Sequence, residues 1–361
     1  MATTSPPLSP GGSSTLHDRW EPTLLKYVCV MATSPPLSPG GSSTLHDRCQ
    51  LSFADLVFGR KLASGAFGTV FEGTHRGAPV AIKSVQLRAL GGVDTKYIFG
   101  ELATLSSVSH PHLLKFLGAA EGGDGRELYI VTELMGGGTL ADVLSPPAPP
   151  LPWSLRVALC RAAAEALAHL HAAELLHRDI KTENLLLEAD AWRVVIADYG
   201  FARKVVDLRG GARQAMTILG TESFMAPEVQ FGESYGEGAD VFSLGCVMAH
   251  VITGRAPGSG GFLERTPRNK FAVDVEQLRA AAPPDCPPSF LECAVQCLGT
   301  EPEARPAADV VAEWLRDLAQ ELPPFKGAIF PKPAALRAAA CAAKAQGGGA
   351  EAAGGGGGAK K

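Results

Sequence analysis

The sequence predicts an α+β fold in two unequal lobes, a small strand-rich one followed by a large helical one. Three observations predict it. Short apolar runs with strand character, punctuated by glycine, lie between Leu56 and Met135. A long Ala/Leu-rich helical pattern then runs from Trp153 to Ala173, and a second apolar helix opens at Asp240. At 361 residues the chain can bury a substantial core in one large or two ordinary domains.

Residues 1–50 read as a disordered Pro/Ser/Gly-rich tail. Ser5 to Arg19 reads SPPLSPGGSSTLHDR, and Ser34 to Arg48 repeats it residue for residue. The unit has too little to bury for a solenoid repeat. A duplication, or two alternative starts joined with Met31 as the second, accounts for it. Ser-Pro pairs at Ser5, Ser9, Ser34 and Ser38 could accept phosphate, or simply keep the tail extended and soluble. At the other end, residues 323–361 turn Ala/Gly-rich, finish GGGGGAKK and read as a flexible tail with room for one frayed Ala-rich turn from Ala334 on.

The small lobe opens with Val57, Phe58 and Leu62 and then Ala63-Ser64-Gly65-Ala66-Phe67-Gly68-Thr69-Val70. Glycine lets backbone amides approach phosphate oxygens with no Cβ in the way, although Gly65 and Gly68 could equally serve a hairpin. Pro79-Val80-Ala81-Ile82-Lys83 is an apolar strand ending in a lysine, either exposed or paired. A helix is expected from Thr95 to Ser107, with Leu102 and Leu105 as its stripe and Ser109-His110-Pro111 as its stop. It carries Glu101, which either faces solvent or meets that lysine. Leu128 to Met135, including Thr132 and Glu133, is a buried-strand pattern closed by Gly136-Gly137-Gly138.

The large lobe follows a Pro-rich link, Ser145 to Pro152, expected to be mobile. In the helix from Trp153, residues Val157, Cys160, Ala164, Leu167 and Leu170 stand near helical spacing. Next come His177-Arg178-Asp179-Ile180-Lys181-Thr182-Glu183-Asn184 and then Asp198-Tyr199-Gly200. These set two metal-grade acceptors, Asn184 and Asp198, near a candidate base, Asp179. Taken alone, His177 could be a core histidine and Asp179 a turn residue. Between Asp198 and Ala226-Pro227-Glu228 the hydroxyl side chains are Thr217, Thr221 and Ser223. Asp240 suits a helix N-cap, and Arg305 sits in Glu301-Pro302-Glu303-Ala304-Arg305-Pro306.

In this order the motifs resemble those of eukaryotic-type protein kinases, over roughly Leu51 to Leu322. Ala63 to Val70 is similar to the family's G-x-G-x-x-G-x-V loop, with Ala63 at the first position. Val80 to Lys83 matches V-A-I-K, the octamer from His177 matches H-R-D-x-x-x-x-N, and Asp198-Tyr199-Gly200 resembles D-F-G. The resemblance implies a bilobal protein kinase fold. Its N-lobe (51–135) is small and mostly β with one key helix, its hinge is 133–138, and its C-lobe (139–322) is large and mostly α.

Carried over residue by residue, the resemblance implies that Ala63, Gly65, Gly68, Val70, Ala81 and Leu186 border ATP. Thr132 is then the small gatekeeper, and the backbone around Glu133 and Met135 bonds adenine. Lys83 pairs with Glu101 and positions the α- and β-phosphates. Asp179 deprotonates the acceptor hydroxyl, Lys181 neutralises charge on the transferring group, and Thr221 bonds both. Asn184 and Asp198 hold Mg²⁺, with Mn²⁺ as the alternative. Arg178 can pair with an activation-loop phosphate, on Thr217 first or Ser223 second. Asp240 anchors the catalytic-loop backbone, and Arg305 pairs with Glu228.

Lys181 and the run GTESFMAPEV resemble Ser/Thr kinases of the tyrosine-kinase-like group, including the LIM-domain-kinase branch, where dual specificity occurs. The implied activity is transfer of the ATP γ-phosphate to Ser or Thr of protein substrates. The rival reading, a pseudokinase scaffold, rests on Ala63 alone.

Composition narrows the rest. A formal charge of −4 and scattered Lys and Arg give no basic field for nucleic acid. The eight cysteines follow no metal spacing, and Cys293 and Cys297 suit a helix core better than zinc. Free thiols and a cytoplasmic location are expected, because no apolar run reaches the roughly 18 residues of a spanning helix and Met1 to Gly12 lacks a secretory pattern. The oligomeric state is left open.

Overall fold

The structure, a computed structural model, describes residues 50–65, 68–86, 106, 108–122, 127–146, 148–198, 203–204, 222–233, 236–325, 331–336 and 338. Five strands form the small lobe: β1 (Leu56–Gly65), β2 (Gly68–His75), β3 (Ala78–Gln86), β4 (Phe116–Glu121) and β5 (Glu127–Glu133). They pair antiparallel in the order β1-β2-β3-β5-β4. Both faces are covered. Leu56, Val80, Ile82, Ala120, Tyr129 and Val131 build an outer core, while Val85, Ala119, Leu128 and Ile130 join the main core beneath. Burial on both faces explains why β3 and β5 read as near-continuous apolar runs rather than alternating ones.

Register brings the nucleotide-side candidates together. Ala63 faces Val70, Val70 faces Lys83, and Ala81 faces Thr132 across neighbouring strands. Directly paired residues share a face, as do residues two apart, so all five lie on the inner face with Val85 and Ile130. Gly68 is needed where β2 begins, because at its φ of +138° a Cβ would stand 2.0 Å from the Ser84 carbonyl oxygen. The helix expected at 95–107 lies outside the described residues except for Ser106, which is helical.

The large lobe begins with α1 (Leu140–Leu144), started by a capping box. Asp142 N–H donates to Thr139 Oγ1 at 3.1 Å, and Thr139 N–H to Asp142 Oδ2 at 2.9 Å. Then come α2 (Trp153–Ala172), β6 (Leu175–Leu176), β7 (Leu185–Leu187), β8 (Val194–Ile196) and β9 (Arg203–Lys204). Helices α3 (Pro227–Gln230), α4 (Glu237–Thr253), α5 (Val275–Ala281), α6 (Pro288–Cys297) and α7 (Ala308–Glu321) complete it. Every residue of α4 from Ala239 to Ile252 is buried, as befits a helix apolar on all sides at the centre of its lobe. Cys293 and Cys297 are buried on α6 as free thiols. No helix among the described residues is long and apolar enough to cross a membrane.

The glycines after β5 join the lobes by close approach. Gly137 N–H donates to the Leu187 carbonyl at 2.9 Å, and Leu187 N–H to the Gly138 carbonyl at 2.8 Å. A Cβ on Gly137 would stand 2.5 Å from the Glu188 carbonyl oxygen, so only glycine lets the connection lie against β7.

Two stretches outside the main elements make contacts that their composition does not specify. In the link from Ser145 to Pro152, Ser145 Oγ donates to the Ala141 carbonyl at 2.8 Å, and Leu151 is buried. The Leu151 carbonyl also accepts from Arg156 Nε at 2.7 Å, because that buried guanidinium needs acceptors. Residues 333–336 form a helical turn inside the stretch read as a tail. There Leu336 is buried, Ala334 N–H donates to the Ala189 carbonyl at 3.3 Å, and Lys332 pairs with Asp190 at 3.2 Å.

Candidate active site

The loop after β6 is bonded to one carboxylate beneath it. Asp240, 2% exposed in the first turn of α4, accepts from His177 N–H at 2.8 Å, Arg178 N–H at 2.7 Å and His171 Nε2 at 3.0 Å. Burial alone would raise its pKa. The His171 hydrogen bond, the nearby histidines and the Arg178 N–H outweigh that and hold it below the ordinary carboxylate value. The same bonds fix Arg178 in the left-handed region, at φ +73°. His177 Nε2 donates to the Ala197 carbonyl at 3.0 Å, tying the loop to the residue before Asp198, itself left-handed at φ +66°.

On this support the candidate base, cation and metal ligands converge. Lys181 Nζ donates to Asp179 Oδ2 at 2.7 Å. Asn184 Nδ2 donates to the same oxygen at 2.9 Å and to the Asp179 carbonyl at 2.8 Å, which leaves its Oδ1 as an acceptor. Asp179 is 6% exposed. From the other lobe, Lys83 Nζ approaches Asp198 Oδ1 to 3.8 Å. An amide oxygen and a carboxylate are hard donors of the type that suits Mg²⁺ or Mn²⁺. Glu101, Thr217 and Thr221 lie outside the described residues.

On the nucleotide side, Gly65 faces Gly68 at the end of the β1–β2 hairpin. Thr132 and Met135 are buried, and Leu186 pairs with Val195 and bridges to Thr139. Arg193, which sequence reasoning missed, lies beside them. It donates from Nη2 to Glu133 Oε2 at 2.6 Å, from Nε to Glu188 Oε2 at 3.0 Å and from Nη1 to the Pro111 carbonyl at 3.1 Å. The Glu133 hydrogen bond leads in raising its pKa, so its charge is secure.

Farther out, Arg305 and Glu228 meet at 2.7 and 2.9 Å in a dry bidentate pair. The carbonyls of Gly238, Gly299 and Thr300 take the remaining donors of that guanidinium. Under the catalytic loop, buried Thr182 Oγ1 lies 3.0 Å from His250 Nδ1, and burial pushes the His250 pKa down to about 4. Ser223 is half-buried beside a cavity of about 370 Å³ shared with Glu222, Glu264, Arg265 and Phe271. The cavity lining does not include Asp179, Lys83 or Asp198. Arg265 holds the Ser223 segment by donating to the Met225 carbonyl at 2.6 Å and the Glu222 carbonyl at 2.8 Å.

Comparison with known proteins agrees with this frame. Residues 56–315 match the protein kinase domain family. RasGEF domain-containing serine/threonine-protein kinase X of Dictyostelium discoideum is 37% identical over 266 residues, covering 74% of this chain and 27% of that protein. LIM domain kinase 1 of Drosophila melanogaster is 32% identical over 301 residues, covering 74% of this chain and 23% of that protein. The chain thus spans about a quarter of the length of these two relatives. Since the family match runs from the first strand of the sheet into the last helix of the large lobe, the chain belongs to the protein kinase domain family.

Proposed function

We propose that the chain transfers the γ-phosphate of ATP to Ser or Thr hydroxyls of protein substrates. The observation that carries this is the bonded group Asp179–Lys181–Asn184 standing beside the Lys83–Asp198 contact. Asp179 Oδ2 is occupied by Lys181 and Asn184, so Oδ1 is the oxygen that receives the acceptor hydroxyl's proton. Lys181 balances charge at the transferring group, and Lys83, paired with Glu101, orients the α- and β-phosphates. Asn184 and Asp198 hold a divalent cation, Mg²⁺ in preference to Mn²⁺, which when bound neutralises phosphate charge. These groups stabilise developing charge through position rather than covalent chemistry.

Support for Ser/Thr substrates comes from Lys181 and from the name of the Dictyostelium relative, and the likeness to a LIM domain kinase supports the tyrosine-kinase-like group; dual specificity is the finer alternative. Thr221 bonds Asp179 and Lys181 in this reading, and a phosphate on Thr217 pairs with Arg178 to order the loop. Ser223 is the second phosphosite, in a cavity where two carboxylates, Glu222 and Glu264, stand against one guanidinium, Arg265. The pseudokinase alternative has little support from Ala63, which takes its place in the β1–β2 register opposite Val70. The proposed location is cytoplasmic.

Labelled ATP, Mg²⁺ and a generic protein substrate test the reading. Asp179→Asn should lose roughly 10²–10⁴-fold in kcat, and Lys83→Met should lose activity with a raised ATP KM. Equal transfer by wild type and both variants would refute these roles, and no transfer by wild type would favour a scaffold.

A further inference from the structure

Arg193 stands just before β8 and reaches two stretches distant in sequence, Glu133 at the end of β5 and the Pro111 carbonyl before β4, as well as its near neighbour Glu188 after β7. Its Nη2 also lies 3.7 Å from Met135 Sδ. Glu133 is held on its second oxygen by Lys115 N–H at 2.9 Å. The Glu133 N–H is bonded to the Lys115 carbonyl at 3.0 Å, which leaves the stretch from the Glu133 carbonyl to Met135 to be set by side chains. Arg193 engages the side chains of both residues.

We infer that Arg193 is a positioning residue for nucleotide binding, whose planar fork sets the Glu133–Met135 backbone in register for adenine. The inference rests on the ATP-dependent reading above. A single guanidinium serves two carboxylates and a carbonyl, a pattern that a lysine ammonium reproduces only in part. The Arg193, Glu133 and Glu188 side chains are 31%, 21% and 43% exposed, so the ion pairs add little to overall stability. Their effect falls on position, where a small misalignment is costly to binding. Gly137, bonded to Leu187, holds the far end of the same connection. Arg193 holds the near end.

The test uses the full chain as wild type, Arg193→Ala, Arg193→Lys, Glu133→Gln and the double variant Arg193→Ala/Glu133→Gln. Calorimetry measures binding of ATP and of inorganic tripolyphosphate, which has no adenine. Steady-state phosphorylation and melting without nucleotide run alongside. In Arg193→Ala, the Kd and KM for ATP should rise roughly three- to tenfold while kcat at saturating ATP changes less than about twofold. Tripolyphosphate affinity and melting should hold, Arg193→Lys should recover part of the loss, and the double variant should be no weaker than Arg193→Ala. Unchanged ATP affinity, equal weakening of ATP and tripolyphosphate, or additive losses would each overturn the inference. A wild type that binds ATP without transferring phosphate defeats the kinase reading alone, since the binding measurements still decide the role of Arg193.

Discussion

Asp179 and Lys83 bring charge to one site from opposite lobes and are held in different ways. Asp179 is buried, bonded to Lys181 and Asn184 at 2.7 and 2.9 Å, on a loop tied to Asp240 in the core. Lys83 rides on a sheet with an outer core of its own, and its side chain, 21% exposed, meets Asp198 at 3.8 Å. The first set are hydrogen bonds, whereas the last is a charge contact at longer range. The position of the acceptor-side groups is therefore fixed by packing within the large lobe. The reach of Lys83 toward Asp198 depends on how the lobes sit, which is the coordinate a nucleotide between them would adjust.

The largest expected effect comes from breaking the buried support. Asp240→Asn replaces one acceptor oxygen by N–H₂, setting it against either the Arg178 N–H or the His177 N–H and the His171 ring. It should cost about 3–5 kcal/mol of stability together with most of kcat. Denaturant unfolding beside the phosphorylation assay checks this, and a variant normal in both would erase the contrast.

A smaller effect concerns pH. His250 titrates near 6.5 when unfolded, but burial lowers it to about 4 in the fold. Between these values the unfolded chain binds a proton that the folded chain refuses. Stability is therefore full above about 6.5 and falls as pH drops toward 4, by up to about 1.4 kcal/mol per unit. His110, lowered by burial and then by His169 and His112, adds to the slope. His250→Gln should flatten it in urea titrations at pH 7 and 5, and an unaltered slope would contradict the burial argument. Asp240 contributes in a separate window, losing its stabilisation below its ordinary 3.8.

The smallest effect sharpens the other side. Lys83→Met, with its expected loss of activity, should change stability by less than about 1 kcal/mol in the same unfolding assay. A loss as large as that of Asp240→Asn would mean that Lys83 is held as firmly as Asp179.

Legibility in the sequence followed distance along the chain. Asp179, Lys181 and Asn184 share one short loop, and Lys83 and Thr132 lie in apolar strand runs, so local pattern exposed them, although β3 runs on past Lys83 to Gln86. The Glu228–Arg305 pair needed the family resemblance, since 77 residues separate its members. Arg193 had no such signal. Its partners Glu133 and Pro111 are 60 and 82 positions away, and an arginine before a strand looks like any surface residue. His171 and His250 were hidden the same way, lying 69 and 68 positions from Asp240 and Thr182. Composition said less at the edges. Proline in the 145–152 link suggested mobility, yet Arg156 needed its carbonyl; Leu336 is a lone large apolar residue in an alanine-rich run and gives no periodicity to read.

The Glu228–Arg305 pair also bears on lifetime. It closes a loop containing α4, α5 and α6, at a closure entropy of about 4 kcal/mol by the logarithmic rule. The cost of closing that loop favours forming the contact after those helices have packed, which would place its energy in the finished lobe rather than on the route toward it. An interaction of that kind slows unfolding without speeding folding. The dry arginine at position 305 is then a latch on how long the kinase domain stays folded.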